Sequence, residues 1–274
     1  MTDIAGKNVL ITGGASGIGR LMALRAADRG GRVIVWDIDE AALEAVLADL
    51  ERATGSPATG YVCDVSDRDA VYATAAKVKA DTGPLDILIN NAGVVSGESF
   101  LELPDEKIEA TFRVNTMALF WTTKAFLPEM IQRDAGHVVT IASASGLIGV
   151  ARLADYASSK FATVGFDESL RIELSGIAKH VKTTIVCPYF IDTGMFKGVS
   201  SRFSFLLPIL KETDVADRVI RAIEKNRPRL FMPPLIYLVP LLRGILPTAF
   251  FDAVANILGV NVSMDRFVGR KEKS

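Results

Sequence analysis

Residues 8–19 constrain the fold more than any other stretch. Asn8-Val9-Leu10-Ile11-Thr12 is a short apolar run, fit for a strand buried on both faces. It leads into Gly13-Gly14-Ala15-Ser16-Gly17-Ile18-Gly19, and a helical pattern follows from Arg20 to Arg29. Strand, glycine turn and helix is the setting in which a dinucleotide fingerprint has a physical meaning. The glycines let the backbone approach a pyrophosphate, which then sits at the positive end of the helix. A glycine turn alone can be an ordinary tight turn. Between these two elements, phosphate binding is the better reading, with Gly13, Ser16, Gly17, Ile18 and Gly19 as the candidate residues.

The same alternation continues. Further strand-like runs fall at 32–37, 58–63, 86–89, 137–142 and 181–187, with a shorter one at 230–232. Helical patterns lie between them at 41–52, 68–81, 105–113, 115–133 and 155–174. Such alternation predicts an α/β chain built as a doubly wound parallel sheet flanked by helices. Ligands in these sheets bind outside the carboxyl ends of the strands. Asp37 ends the second run, about 20 residues past the glycine loop, where an acid can bond both ribose hydroxyls of NAD. A 2′-phosphate would meet that carboxylate, and no cation stands in the glycine loop to offset the repulsion, so NAD is expected over NADP. The alternative for Asp37 is a turn residue before a helix capped near Asp39-Glu40.

Composition narrows the partners. Net charge is -1, which gives no reason to expect nucleic acid. Two cysteines, Cys63 and Cys187, sit in apolar runs and read as buried thiols in a reducing compartment. Two histidines are too few for a metal cluster, so no metal is expected. The first residues show no apolar signal-like region, so a cytoplasmic protein is expected.

The third feature carries chemistry. Ser143 follows the 137–142 run, and Tyr156-x-x-x-Lys160 follows in a helical pattern. Residues four apart share a helix face, so the phenol and the ammonium can point into one pocket, with a strand-end serine facing them. Together the three groups could move a proton on and off an alcohol oxygen. Many surface helices contain Tyr-x-x-x-Lys by chance; the cofactor signature upstream favours the catalytic reading. Asn115 is a poor helix-interior residue, either a local kink or a polar group facing the same pocket.

Taken in order, Thr12-Gly13-x-x-x-Gly17-x-Gly19, Asp64-Val65, Asn90-Asn91-Ala92-Gly93, Asn115, Ser143, Tyr156-x-x-x-Lys160 and Pro188 through Thr193 resemble the short-chain dehydrogenase/reductase family over residues 8 to about 195. The resemblance implies a single Rossmann-type domain over 1–274. It implies Tyr156 as catalytic acid/base, its phenolate favoured by Lys160 and the positive nicotinamide, and Ser143 as the group that bonds the substrate oxygen. Lys160 would also hold the nicotinamide ribose, and Asn115 would place a water leading from Lys160 to solvent. Asp64 and Val65 would bond the adenine, and Asn90, Asn91, Ala92 and Gly93 would line the ribose and pyrophosphate side. Pro188, Ile191 and Thr193 would border the nicotinamide. Tyr189 stands where many relatives have glycine, making that side of the substrate pocket bulkier and more apolar. The resemblance also implies a homo-oligomer, a dimer or tetramer, through the helices around 115–133 and 155–174.

The runs 184–196 and 258–267 are similar to the subgroup containing the epidermal retinol dehydrogenases and the lipid-droplet 17-beta-hydroxysteroid dehydrogenases. They imply an apolar alcohol or carbonyl substrate: a retinoid, steroid or long-chain alcohol. Members of that subgroup usually carry an N-terminal apolar anchor, and none is seen here. Residues 197–274 read as a lid and apolar helical C-terminal extension of the same domain, with 13 Lys/Arg against 7 Asp/Glu. Phe203 to Leu210 and Phe231 to Leu242 are its apolar runs, the second proline-broken and too short to span a bilayer. Each could meet the core, a second subunit, the substrate or a membrane surface. The expected activity is NAD-dependent oxidation of an apolar alcohol. The rivals are a 3-oxoacyl-thioester reductase and a non-catalytic nucleotide sensor or membrane-surface scaffold.

Overall fold

The computed structural model describes residues 1–269. Seven parallel strands form one sheet: β1 (Asn8–Thr12), β2 (Arg32–Asp37), β3 (Thr59–Val62), β4 (Ile87–Asn90), β5 (Gly136–Ile141), β6 (Val181–Pro188) and β7 (Arg229–Met232), in spatial order β3-β2-β1-β4-β5-β6-β7. The central strands β1 and β4 are buried throughout, which is why they read as continuous apolar runs rather than alternating ones.

Three helices pack on one face: α1 (Gly17–Ala27), α2 (Glu40–Thr54) and α7 (Glu212–Glu224). The opposite face carries α3 (Arg68–Thr82), α5 (Ala118–Gln132) and α6 (Ala154–Ile177), with α4 (Asp105–Phe112) leading into α5. Each helix covers its sheet face with a small set of apolar side chains, such as Val71, Ala75 and Val78 on α3. A fully buried Val or Leu of this kind contributes roughly 1.5–3 kcal/mol. Trp36 on β2, fully buried, packs its ring against Phe126 on α5 at a centroid distance of 5.9 Å.

Three local differences from the sequence-based expectation have physical causes. The first helix begins at Gly17, not Arg20, because Gly17 at φ 52° turns the chain directly off the loop. The expected break between 113 and 115 is no break: α4 passes into α5 through a π-turn at Arg113–Met117, which adds a residue to the helix without ending it. The 197–274 region contains more helix than its prolines suggested. Besides α7 it forms α8 (Leu238–Ile245) and α9 (Thr248–Ile257), with Pro233 and Pro247 immediately before helical turns, where a missing N–H costs nothing. Residues 258–269 then return over the segment 194–207: Val268 donates its N–H to Lys197 and Ser200 donates to Ser263. The last five residues of the basic extension, with Arg270, Lys271 and Lys273, lie outside the described residues.

β7 is an edge strand of four residues. The outward N–H of Phe231 donates to the Tyr237 hydroxyl, which donates in turn to the carbonyl of Arg229, both at 3.2 Å.

Candidate active site

The strand order reverses between β1 and β4, and the site lies in the crevice beyond that switch point. Register brings the strand ends level: Thr12 pairs with Trp36, Asn90 with Thr140 and Ile141 with Val186. Loops leaving these ends enclose a cleft of about 1330 Å³ with its mouth included. Gly13, Ser16, Gly17, Ile18, Gly19, Asp37, Asp64, Val65, Asn91, Ala92, Gly93, Ser143, Tyr156, Lys160, Pro188, Tyr189, Ile191 and Thr193 all border it.

The glycine loop is held in place by the residues around it. A Cβ on Gly19 would lie 2.1 Å from the Gly13 carbonyl oxygen and 2.6 Å from Asn91 Nδ2, so only glycine lets helix α1 start this close to the loop. Asn91 donates to the carbonyls of Thr12 and Gly13 at 3.0 and 2.9 Å. Its carboxamide therefore fastens the loop while the residue borders the cleft. Asp37 accepts from Ala15 N–H at 2.9 Å and from Asp39 N–H at 3.2 Å. It joins the end of β2 to the loop, whereas the cap of α2 is Asp39, which accepts from Ala42 N–H. Arg20, the first cation after the loop, is paired with Asp49. The glycine cradle, the open helix N-terminus and the acid at the end of β2 fit a dinucleotide.

At the other end of the cleft α6 presents Tyr156 and Lys160, four residues apart on its buried face. Lys160 Nζ donates to the Ile141 carbonyl at 3.0 Å and lies 5.6 Å from the Tyr156 ring centroid. A Cβ placed on Gly93 would be 3.6 Å from Lys160 Nζ and 3.3 Å from Asn115 Oδ1, so Gly93 keeps the approach to both open. Ser143 caps the 3₁₀ turn Ala144–Gly146 by accepting from Ser145 N–H at 3.2 Å, which leaves its own proton available to the cleft.

Burial acts on both titratable groups of the pair. Burial pushes Tyr156 up to about 12, and the neighbouring Ser143 hydroxyl only partly opposes it. Burial also brings Lys160 down to about 8. Within the protein alone, desolvation is the largest influence on both groups. A positive charge brought into the cleft would oppose this and favour the phenolate.

Asn115 and Asn90 are both buried. Asn115 lies against Gly93, which borders the cleft. The π-turn aims its side chain at the loop after β4: Oδ1 accepts from Val94 N–H at 2.8 Å, and Nδ2 donates to the Val94 carbonyl and to Ser159 Oγ. With its carboxamide committed to these partners, its position supports the loop. Asn90 faces α5, donating to Thr123 Oγ1 and accepting from Thr122, and does not border the cleft.

A second, apolar pocket of about 820 Å³, with the open space at its mouth included, adjoins the cleft. Ser143, Tyr189 and Phe196 belong to the walls of both. Leu207, Leu235, Val239, Leu242, Phe251 and Leu258 close the far side. Only Leu207 from the 203–210 run reaches full burial, so that segment contributes to the wall through one main anchor. The walls from α8 and α9 were not anticipated residue by residue; the apolar run 231–242 was the available signal. Phe196 also packs edge-on against Tyr156, at 5.8 Å between ring centroids.

The profile of the short chain dehydrogenase family matches residues 7–203. The chain belongs to the short-chain dehydrogenase family. As a short-chain dehydrogenase it is an oxidoreductase with the Rossmann-like sheet described above. It is 44% identical over 272 residues to epidermal retinol dehydrogenase 2 of Homo sapiens, a match covering 99% of this chain and 88% of that one. Among solved structures, a short chain dehydrogenase/reductase from Burkholderia phymatum in complex with NAD superposes with a TM-score of 0.80 at 30% identity, covering 89% of this chain and 95% of that one. A metagenomic short-chain oxidoreductase in complex with NADP gives 0.68 at 30% identity, covering 81% and 92%. Among the described residues of this short-chain dehydrogenase no group of His, Cys, Asp or Glu is arranged to hold a metal ion.

Proposed function

We propose that the protein oxidises apolar alcohols with NAD, and reduces the matching carbonyls with NADH. The observation that carries this reading is the position of Ser143: it borders both the cleft that holds Tyr156 and Lys160 and a cavity walled by aliphatic and aromatic side chains. Bound NAD would accept hydride from the carbinol carbon. Ser143 donates its hydroxyl proton to the substrate oxygen and holds it beside Tyr156. Tyr156 takes the hydroxyl proton as a base, and Lys160, anchored on the Ile141 carbonyl, keeps a positive charge beside the phenol. Asp37 favours NAD, since a 2′-phosphate would meet its carboxylate while Arg20 is engaged by Asp49. The retinol dehydrogenase relative and the NAD-bound structural neighbour support the same substrate class and cofactor.

The test is NADH production from retinol, a 17-hydroxysteroid, a long aliphatic alcohol and a short secondary alcohol, with NADP in parallel. Selective turnover of the bulky apolar members with NAD is expected. Preference for NADP would refute the role given to Asp37, and preference for the short alcohol would refute the role given to the apolar cavity. Gly19→Ala is expected to weaken NADH binding by at least about tenfold, because its methyl group needs the space of the Gly13 carbonyl. Unchanged affinity in a fluorescence titration would show that the loop does not carry the pyrophosphate.

A further inference from the structure

The apolar side chains that the cavity does not use are concentrated on the outside of α8 and α9. No residue of α8 is fully buried, and Ala255 alone is on α9. Their inner sides line the apolar cavity through Leu238, Val239, Leu242, Phe251 and Val254. Their outer sides carry Leu241, Ile245, Phe250 and Ile257, exposed by 56, 69, 58 and 62%. The adjoining 202–210 segment, whose Arg202 lies against Gly259, adds Phe205 at 79%. Helices that are apolar on both sides need a non-aqueous surrounding on both sides.

A further cleft lies at the junction of the same two helices. A cleft of about 710 Å³ at the α8–α9 turn, bordered by Arg243, Leu246, Thr248 and Asp252, shares Ile148, Phe251 and Ala255 with the apolar cavity. The apolar cavity that Ser143 borders and the cleft at the α8–α9 turn therefore share one wall, made of these three residues. Charge around this face is biased: across 193–211 and 233–269 there are five cations, Lys197, Arg202, Lys211, Arg243 and Arg266, against Asp252 and Asp265. Helices of eight and ten residues span about 12–15 Å, too little to cross a bilayer but suited to lying in its surface. Among the described residues no helix is long and apolar enough to cross a membrane. A second copy of the chain seated here would cover the apolar side chains but would set one net-basic face against another. A lipid surface covers them and remains permeable to an apolar alcohol.

We propose that the α8–α9 face docks on an anionic lipid surface and that the apolar substrate passes from the lipid to Ser143 and Tyr156 between these two helices. The docking rests on the surface alone; the passage rests on the reading of the substrate as an apolar alcohol. The test is flotation with phosphatidylcholine vesicles, with and without phosphatidylserine. It compares the full chain with a variant carrying Leu241→Glu, Ile245→Glu and Phe250→Glu, none of which lines the cavity. The full chain is expected to float with the phosphatidylserine vesicles, less so at high salt. The variant should lose roughly a hundredfold in partitioning, as three large apolar side chains leave the lipid and three carboxylates replace them. Turnover of a long-chain alcohol embedded in the vesicles should fall in parallel, while turnover of a soluble short-chain alcohol stays as in the full chain. Leu241→Gln with Ile245→Gln gives the same direction if the charges unsettle the fold. A full chain that stays in solution with both vesicles overturns the docking, and so does a variant that floats like the full chain. A variant that instead breaks an oligomer on size exclusion, with vesicle binding unchanged, assigns the face to a second copy and overturns it too. Flotation is read without turnover, so an enzyme inactive on every alcohol would count against the proposed activity and leave the docking result standing.

Discussion

Tyr156→Phe is expected to lower kcat for alcohol oxidation by about 10³-fold, within the 10²–10⁴ that a positioned acid/base supplies. NADH affinity should stay within a few-fold, because the ring remains and only the hydroxyl is lost. The pH profile of the unsubstituted enzyme gives an independent check. With the phenol pushed up to about 12 by burial, the base form is scarce at neutral pH, and a nearby positive charge has to draw the ionisation downward. Oxidation should therefore accelerate as pH rises, by up to tenfold per pH unit, until the phenol in the complex ionises. Carbonyl reduction, which needs the protonated phenol, should be favoured at lower pH. Lys160, brought down to about 8, begins to lose its ammonium in the same alkaline range, which would cap the rise. Turnover of Tyr156→Phe within tenfold of the unsubstituted rate would remove the assigned role, and a flat pH profile for oxidation would point to another base.

Asp167→Asn is expected to stabilise the protein above neutral pH. Asp167 sits on the inner face of α6, 2% exposed, and its Oδ1 has no hydrogen-bond partner among the described residues. Burial raises its carboxyl to about 7, with Arg171 and Arg229 only partly offsetting the desolvation. The sign follows from linkage. Between the ordinary carboxylate value and about 7, the folded chain keeps a proton that the unfolded chain gives up, so stability falls as pH rises through this window and levels off above it. Forcing the buried carboxyl to ionise costs roughly 4 kcal/mol at most, and the amide removes that cost. Thermal unfolding should show Asp167→Asn melting several degrees above the unsubstituted protein at pH 8, with the difference shrinking towards pH 4. The same difference at both pH values would mean that ionisation of Asp167 is not its cause.

Much of the sheet is legible because a parallel strand buried on both faces leaves an uninterrupted apolar run, as in the interiors of β1, β2 and β4. The dinucleotide loop is legible for a related reason. Its glycines reflect steric exclusion, such as the 2.1 Å approach at Gly19, and steric exclusion leaves a mark in sequence. Tyr156, Lys160 and Ser143 are found through spacing and strand ends, which fix where side chains point. Asn115 shows where this reasoning stops. The residue stands out in the sequence, but the partners that hold its carboxamide, Val94 and Ser159, are more than 20 residues distant. The helices after residue 211 are harder for another reason. α7 is an ordinary amphipathic helix hidden beside composition-biased neighbours. α8 and α9 are only eight and ten residues long, so few turns repeat for a helical period to stand out among the prolines around them. The raised pKa of Tyr156 escapes sequence reasoning because charge partners can be read from spacing, whereas the depth of burial cannot.

The phenol of Tyr237 has a consequence for how such molecules can aggregate. A sheet grows by adding a foreign strand to an edge that still offers backbone donors and acceptors. On the short edge of β7, the N–H of Phe231 and the carbonyl of Arg229 are both taken by one hydroxyl from the turn that follows. A stray extended peptide would first have to displace that ring. Tyr237 thus acts as a stopper at this end of the sheet, and copies of the protein that come together here must meet through side chains, without merging their sheets into one.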